Sequence, residues 1–231
     1  MEIQFSSSFS AFYLAKDFGK TGVTNFRQIS RIGNVPFILF MGRLDFIKGP
    51  DLLLQAYSKV QQTPGIQHHL VFAGPNSGML ATLKKMVTNL GLENKIHFVG
   101  FLDNELKNSA YFESDLLVIP SRKEAMSIVV LEAGITHTPV LLTDRCGFGI
   151  VSEINGGKVV PATIEGLTQG LIDILSEPRD LKIMGENLYS FVSSEYSWEK
   201  VALKHIELYN TILSGNDLPS AQTDKDKKGK E

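Results

Sequence analysis

The sequence predicts an α/β fold, a parallel β-sheet with helices on both faces, and three observations carry that prediction. Short apolar runs of strand length recur along the chain and stop at glycine or proline; stretches of helical periodicity separate them; and two strand-to-helix junctions gather charged residues. Strands separated by helices of such length are joined by right-handed crossovers, which makes neighbouring strands parallel.

The first run, Pro36 to Met41, ends at Gly42 and has the near-continuous apolar character of a strand buried on both faces. Pro50 then sits where a first helical turn tolerates proline, and Leu52, Leu53, Ala56, Tyr57 and Val60 recur at helical spacing. The pattern repeats. His69 to Ala73 reads as a strand stopped by Gly74-Pro75, and Leu80, Leu83, Met86, Val87 and Leu90 read as a helix stopped by Gly91. Lys95 to Val99 gives a further strand, Asn104 to Phe112 a short helix, and Asp115 to Ile119 a strand closed by Pro120. A helix over Ile128 to Ile135, a buried strand over Pro139 to Thr143 and a last strand over Lys158 to Val160 complete the alternation. Beyond Pro161 the periodicity is helical over 163–176, 180–193 and 197–213, the last opened by Ser197 as a cap ahead of Trp198, and these helices are expected to clasp the sheet.

The ends read differently. Residues 1–34 mix aromatics, serines and scattered charges with weak periodicity and are read as an adaptor; residues 214–231 lose their apolar content and close on a charge run, the composition of a disordered tail. The folded unit is placed at 35–213.

Composition narrows the function. With 231 residues, 43% hydrophobic and 21% charged, the chain has the makeup of a soluble globular protein, and a formal net charge of −2 gives no electrostatic footprint for nucleic acid. The single cysteine, Cys146, excludes an internal disulfide, and the five histidines have no metal-binding spacing. No metal site is therefore expected, and a reducing cytoplasm fits. Neither a signal peptide nor a run of the ~18 apolar residues that a spanning helix needs is present, so no transmembrane segment is expected.

Two constellations carry chemistry. Gly42-Arg43-Leu-Asp-Phe-Ile-Lys48-Gly49 occupies the turn after a strand's carboxyl end, the edge at which open α/β sheets take ligands. A guanidinium that forks onto two oxygens, an ammonium acting as a point charge and glycines that admit close backbone approach suit a diphosphate. The second, Pro120-Ser121-Arg-Lys-Glu124-Ala-Met126-Ser127-Ile128-Val-Val-Leu-Glu132-Ala-Gly134, places a helix start near Ser127 with two glutamates seven residues apart. The helix tip attracts an anion; Glu132, one to two turns inside, suits vicinal hydroxyls; Glu124 lies at the mouth. Glu132 is flanked by Ile128 to Leu131 and by Ala133-Gly134, hence at least partly buried, and a buried carboxylate needs a partner. Glycine turns at Gly74-Pro75, at Gly100-Phe101 and at Cys146 to Gly149 lie along the same edge, and Gly100 and Phe101 are candidates for a base site, although each such turn is more often structural.

These residues resemble a known family. GRxxxxKG from Gly42 to Gly49, the spaced pair Glu124 and Glu132 after Pro120-Ser121, Thr138-Pro139-Val140 and the closing Tyr196-Ser197-Trp198-Glu199 are similar to the C-terminal domain of group 1 (family 4) retaining glycosyltransferases, with the likeness running from about Pro36 to Leu213. The resemblance implies one Rossmann-like half of a GT-B fold that binds a nucleotide-sugar donor without a metal. Arg43 and Lys48 would grip the diphosphate, Glu132 the ribose hydroxyls, and Glu124 would lie by the donor sugar; Met126, Ser127 and Ile128 would offer backbone amides. The family often has glycine where Ser127 stands.

The resemblance further implies hexosyl transfer with anomeric retention to a glycan or lipid-linked acceptor, with the acceptor site on an N-terminal domain that residues 1–33 do not resemble. The complete enzyme would be cytoplasmic, with a peripheral position on the inner membrane open to it, and this chain alone is expected to be inactive. A non-catalytic nucleotide-sugar-binding module or truncated remnant and a GT-B nucleotide-sugar epimerase are the competing readings.

Overall fold

The structure, a computed structural model, describes residues 26–214. The expected adaptor up to residue 25, the expected tail from 215 onward, and the side chains of Pro178, Trp198 and Glu199 lie outside the described set. In chain order the elements are α1 (Phe26–Ser30), β1 (Phe37–Met41), α2 (Pro50–Val60), β2 (His69–Ala73), α3 (Leu80–Leu90), β3 (Ile96–Gly100), α4 (Asn104–Glu113), β4 (Leu116–Ile119), α5 (Ile128–Ile135), β5 (Val140–Thr143), α6 (Ile150–Glu153), β6 (Gly157–Val160), α7 (Ile164–Leu175), α8 (Pro178–Glu195) and α9 (Trp198–Leu213).

The six strands form one sheet in the order β3-β2-β1-β4-β5-β6, and every pairing is parallel. Because strand side chains alternate between faces, each strand supplies two cores. Ile38, Phe40, Leu70, Phe72, Leu116, Val118 and Leu141 point to one face, where α2, α3 and α7 cover them. Phe37, Leu39, Val71, Leu117, Ile119, Val140 and Leu142 point to the other, beneath α1, α4, α5, α6 and α8. In β1 and β4 both faces are buried, which is why these strands read as unbroken apolar runs. The C-terminal helices clasp the sheet as expected, α7 on one face and α8 on the other, whereas α9 buries Val201 and leaves Leu203, Ile206 and Tyr209 exposed.

Two short helices were not legible in the sequence, α1 and α6. The five-residue α1 lies within the segment read as an adaptor, and its start is satisfied from a distance: the Phe26 and Arg27 amides donate to the two oxygens of Glu113 at 2.8 and 3.1 Å. Phe26 itself is fully buried against Phe37, so α1 packs on the sheet. The cap expected at Ser197 is formed, its hydroxyl accepting the Lys200 amide at 3.3 Å.

The order of strands reverses between β1 and β4, so the loops that leave these neighbours run to opposite sides and open a crevice at the carboxyl edge. Glycine sets how closely the loops pack there. Gly49 caps α2 with φ +67°, and a Cβ on it would stand 2.2 Å from the Pro120 carbonyl oxygen; Gly74, with φ +135°, lies against the Gly42 carbonyl in the same way, at 1.9 Å. Gly49→Ala should therefore cost about 1–3 kcal/mol, read as a lower urea midpoint; an unchanged midpoint would show that the two loops are not in contact.

At the opposite edge, His69 Nδ1 and His97 Nε2 share a hydrogen bond of 2.9 Å between stacked rings. Burial, and then Lys95 for His69 and His69 for His97, hold both imidazoles below their ordinary range; burial lowers His68 as well, against the pull of Asp115. Below about pH 6.5 the unfolded chain takes up protons that the folded one refuses, so stability is retained above that pH and falls beneath it. Melting temperature should drop as pH is lowered from about 7.5 to about 5.5, and the double variant H69Q/H97Q should flatten the drop; a wild-type profile that rises on acidification would contradict the assignment.

Candidate functional site

The loop after β1 is folded by one carboxylate. Asp45 accepts the Lys48 amide at 2.9 Å through Oδ1 and pairs with the Arg43 guanidinium at 3.1 Å through Oδ2, so both cations of the GRxxxxKG segment hang from one hub. The Arg43 side chain is 60% exposed, which makes that pair weak and the guanidinium easily redirected. Leu44, between them, is buried and anchors the loop to the core.

The loop after β4 meets it directly. Lys48 Nζ lies 2.7 Å from Glu124 Oε1, and the Ser121 hydroxyl donates to Glu124 Oε2 at 3.0 Å. Arg122 ties the loops a second time: it pairs with both oxygens of Asp51 in α2 at 2.7 and 2.8 Å, donates to the Phe46 carbonyl at 2.6 Å and stacks over the Phe46 ring. From the other side the Glu124 amide donates to the Arg145 carbonyl at 2.8 Å, and Gly147, with φ +62°, admits the Ala125 carbonyl to within 2.0 Å of where a Cβ would stand. Three loops of the carboxyl edge, after β1, β4 and β5, are thereby packed into one rim.

Glu132 belongs to the same rim through α4. It is 6% exposed in the second turn of α5, and its two oxygens are engaged separately, Oε1 by Lys107 Nζ at 2.9 Å and Oε2 by the Tyr111 hydroxyl at 2.7 Å. The partner that its burial demanded is thus a pair one helical turn apart on α4. Burial of the Tyr111 phenol, first, and the adjoining Glu132 carboxylate, second, push that hydroxyl well above its ordinary range, so it stays a donor. Gly100 closes β3 with φ +75°, and Phe101 beyond it is 76% exposed, immediately ahead of α4.

Sequence reasoning anticipated the meeting of Lys48 with Glu124 and the burial of Glu132. It gave no role to Asp45, Ser121, Arg122, Lys107 or Tyr111. The signal for the last two was present, since a lysine and a tyrosine four residues apart share one helix face. Met126 and Ile128 are half-buried and pack on the core, so of their groups the backbone is the more available to a ligand. Ser127 is fully buried as the N-cap residue of α5, but its hydroxyl makes no capping bond and has no hydrogen-bond partner among the described residues. Among the described residues no cluster of histidine, cysteine, aspartate or glutamate is arranged to hold a metal ion, and no helix is long and apolar enough to cross a membrane.

Comparison with known proteins agrees with this fold. An uncharacterized glycosyltransferase of Methanocaldococcus jannaschii is 31% identical over 192 residues, 82% of this chain and 48% of that protein. A D-inositol 3-phosphate glycosyltransferase of Corynebacterium urealyticum is 28% identical over 75% of this chain and 42% of its own length. The chain thus spans about half the length of the curated relatives it matches. Among solved structures, sucrose-phosphate synthase of Thermosynechococcus elongatus shares the fold with a TM-score of 0.68 at 24% identity, over 83% of this chain and 49% of that one. The C-terminal domain of a glycosyl transferase group 1 family protein from Francisella tularensis does so with a TM-score of 0.68 at 22% identity, over 80% of this chain and 98% of that one. The HepE protein of Anabaena, in complex with UDP and glucose, superposes with a TM-score of 0.70 at 21% identity, over 86% of this chain and 54% of that one. The model of the family "Glycosyl transferases group 1" matches residues 23–191, and the chain belongs to that family.

Proposed function

We propose that this chain is the donor-binding half of a glycosyltransferase, holding a nucleotide-diphosphate sugar at the rim between β1 and β4. The observation that carries the reading is the 2.7 Å contact of Lys48 with Glu124, which puts a cation and a carboxylate from different loops at the reversal point of the sheet. An ammonium has three donors, so Lys48 can keep Glu124 and still donate to a phosphate. Arg43, exposed and weakly paired, swings onto the same diphosphate, while amides at the start of α5 face it; Gly100 and Phe101 border the base.

Transfer breaks the bond between the anomeric carbon and the terminal phosphate oxygen, forms one to an acceptor hydroxyl and releases that hydroxyl's proton. Negative charge grows on the departing diphosphate, and Arg43 and Lys48 offset it without a metal. Glu124 lies by the sugar, where an acceptor-only carboxylate orders hydroxyls. Retention of configuration, a glycan or lipid-linked acceptor and an acceptor site on a second domain follow from the family resemblance. Relatives about twice the length of this chain support that division of labour, as does the complex of the Anabaena protein with UDP. On this reading these residues bind the donor.

A panel of UDP-, GDP- and ADP-sugars tests the reading by thermal shift. A ligand at 100 times its dissociation constant stabilises the fold by about 2.7 kcal/mol, a rise of roughly 5 °C or more for a domain of this size. Arg43→Ala and Lys48→Ala should each weaken the active ligand by about 1–3 kcal/mol, less so at high salt. No shift with any of the three nucleotides, or full affinity in both variants, would reject the assignment.

A further inference from the structure

Glu132 is held from two sides, and the two holders differ. Tyr111 is wholly buried and donates to Oε2 from beneath, whereas the Lys107 side chain, 17% exposed, reaches Oε1 from the first turn of α4 at the rim. Two donors on opposite oxygens fix the plane in which the carboxylate lies. A carboxylate has about four acceptor sites, so each oxygen keeps a second one, and the fixed plane directs this pair as a fork. A fork of two acceptors matches two hydroxyls on adjacent carbons, each donating one hydrogen. It matches a single hydroxyl only by half.

We propose that Lys107 is a positioning residue of the donor site: by anchoring Glu132 Oε1 it makes the site selective for a nucleotide whose 2′ and 3′ hydroxyls are both free, a ribonucleoside diphosphate rather than its 2′-deoxy counterpart. The inference rests on the donor-binding reading above, together with the ribose role that the family resemblance implies for Glu132, and goes beyond both, because neither gives Lys107 a role. Without the ammonium, Tyr111 alone holds the carboxylate, by one oxygen, and the fork is free to turn. Loss of aim removes the second hydroxyl's bond first and so erodes discrimination more than binding as such.

The test is calorimetric titration of the full chain with UDP, GDP and ADP and with the 2′-deoxy form of whichever binds. Wild type should favour the ribonucleotide by about 10-fold, one charge-assisted hydrogen bond. K107M should bring that ratio close to one, mainly by weakening the ribonucleotide, and K107R, which keeps a cation at the same place, should restore it. A merely structural lysine would weaken both nucleotides alike and leave the ratio intact, and that result overturns the proposal. Should K107M fail to fold, K107Q gives the same comparison with the charge removed and a polar group kept. E132Q separates the two levels. If E132Q abolishes discrimination while K107M and K107Q retain it, Lys107 has no such role and the donor reading stands; if wild type does not discriminate, or E132Q retains the wild-type ratio, the assignment of Glu132 to the ribose falls and takes the proposal with it.

Discussion

The contact between Lys48 and Glu124 is the interaction on which the site depends. Neither residue is near the other in sequence; they meet because β1 and β4 are parallel neighbours whose outgoing loops leave at the same edge of the sheet. With side chains 26% and 14% exposed, the pair is a modest source of stability. Its importance is placement. Opposite charges are held at the carboxyl edge, and the carboxylate of Glu124, bound on both oxygens by Lys48 and Ser121, has a fixed direction.

Several further features serve the same end. Arg122 sits between the two loops, clamped to Asp51, the Phe46 carbonyl and the Phe46 ring, and keeps Lys48 from wandering with its loop. Gly49, Gly74 and Gly147 allow carbonyls of adjoining loops to approach as no side-chain-bearing residue would. Asp45 collects an amide and a guanidinium. Ser127 is the exception: its hydroxyl is buried and has no hydrogen-bond partner among the described residues.

Much of the fold is legible in the sequence. The inner strands are readable because both of their faces are buried, so that Phe37 to Met41 and Val140 to Leu142 carry no polar interruption. Their parallel order followed from the intervening helices. Lys48, Glu124 and Glu132 were readable because spacing and residue type coincided at strand-to-helix junctions. What escaped was set by distant partners. Helix α1 is only five residues long and is nucleated by Glu113, more than eighty positions away, so no local periodicity marks it. Lys107 and Tyr111 look like ordinary surface and core residues until Glu132 is placed between them. Hydrophobic periodicity reports a residue's own burial. It does not report whom a buried charge will meet.

The central claim is that the carboxyl rim between β1 and β4 receives the phosphate end of an activated sugar. The most direct measurement is a backbone amide NMR titration of the isotope-labelled chain with a nucleotide-diphosphate sugar. The account predicts that the largest shifts fall on residues 43–49 and 121–128, with smaller ones over 100–107 and 145–149. Shifts concentrated around His69, Lys95 and His97, at the opposite edge of the sheet, would contradict it.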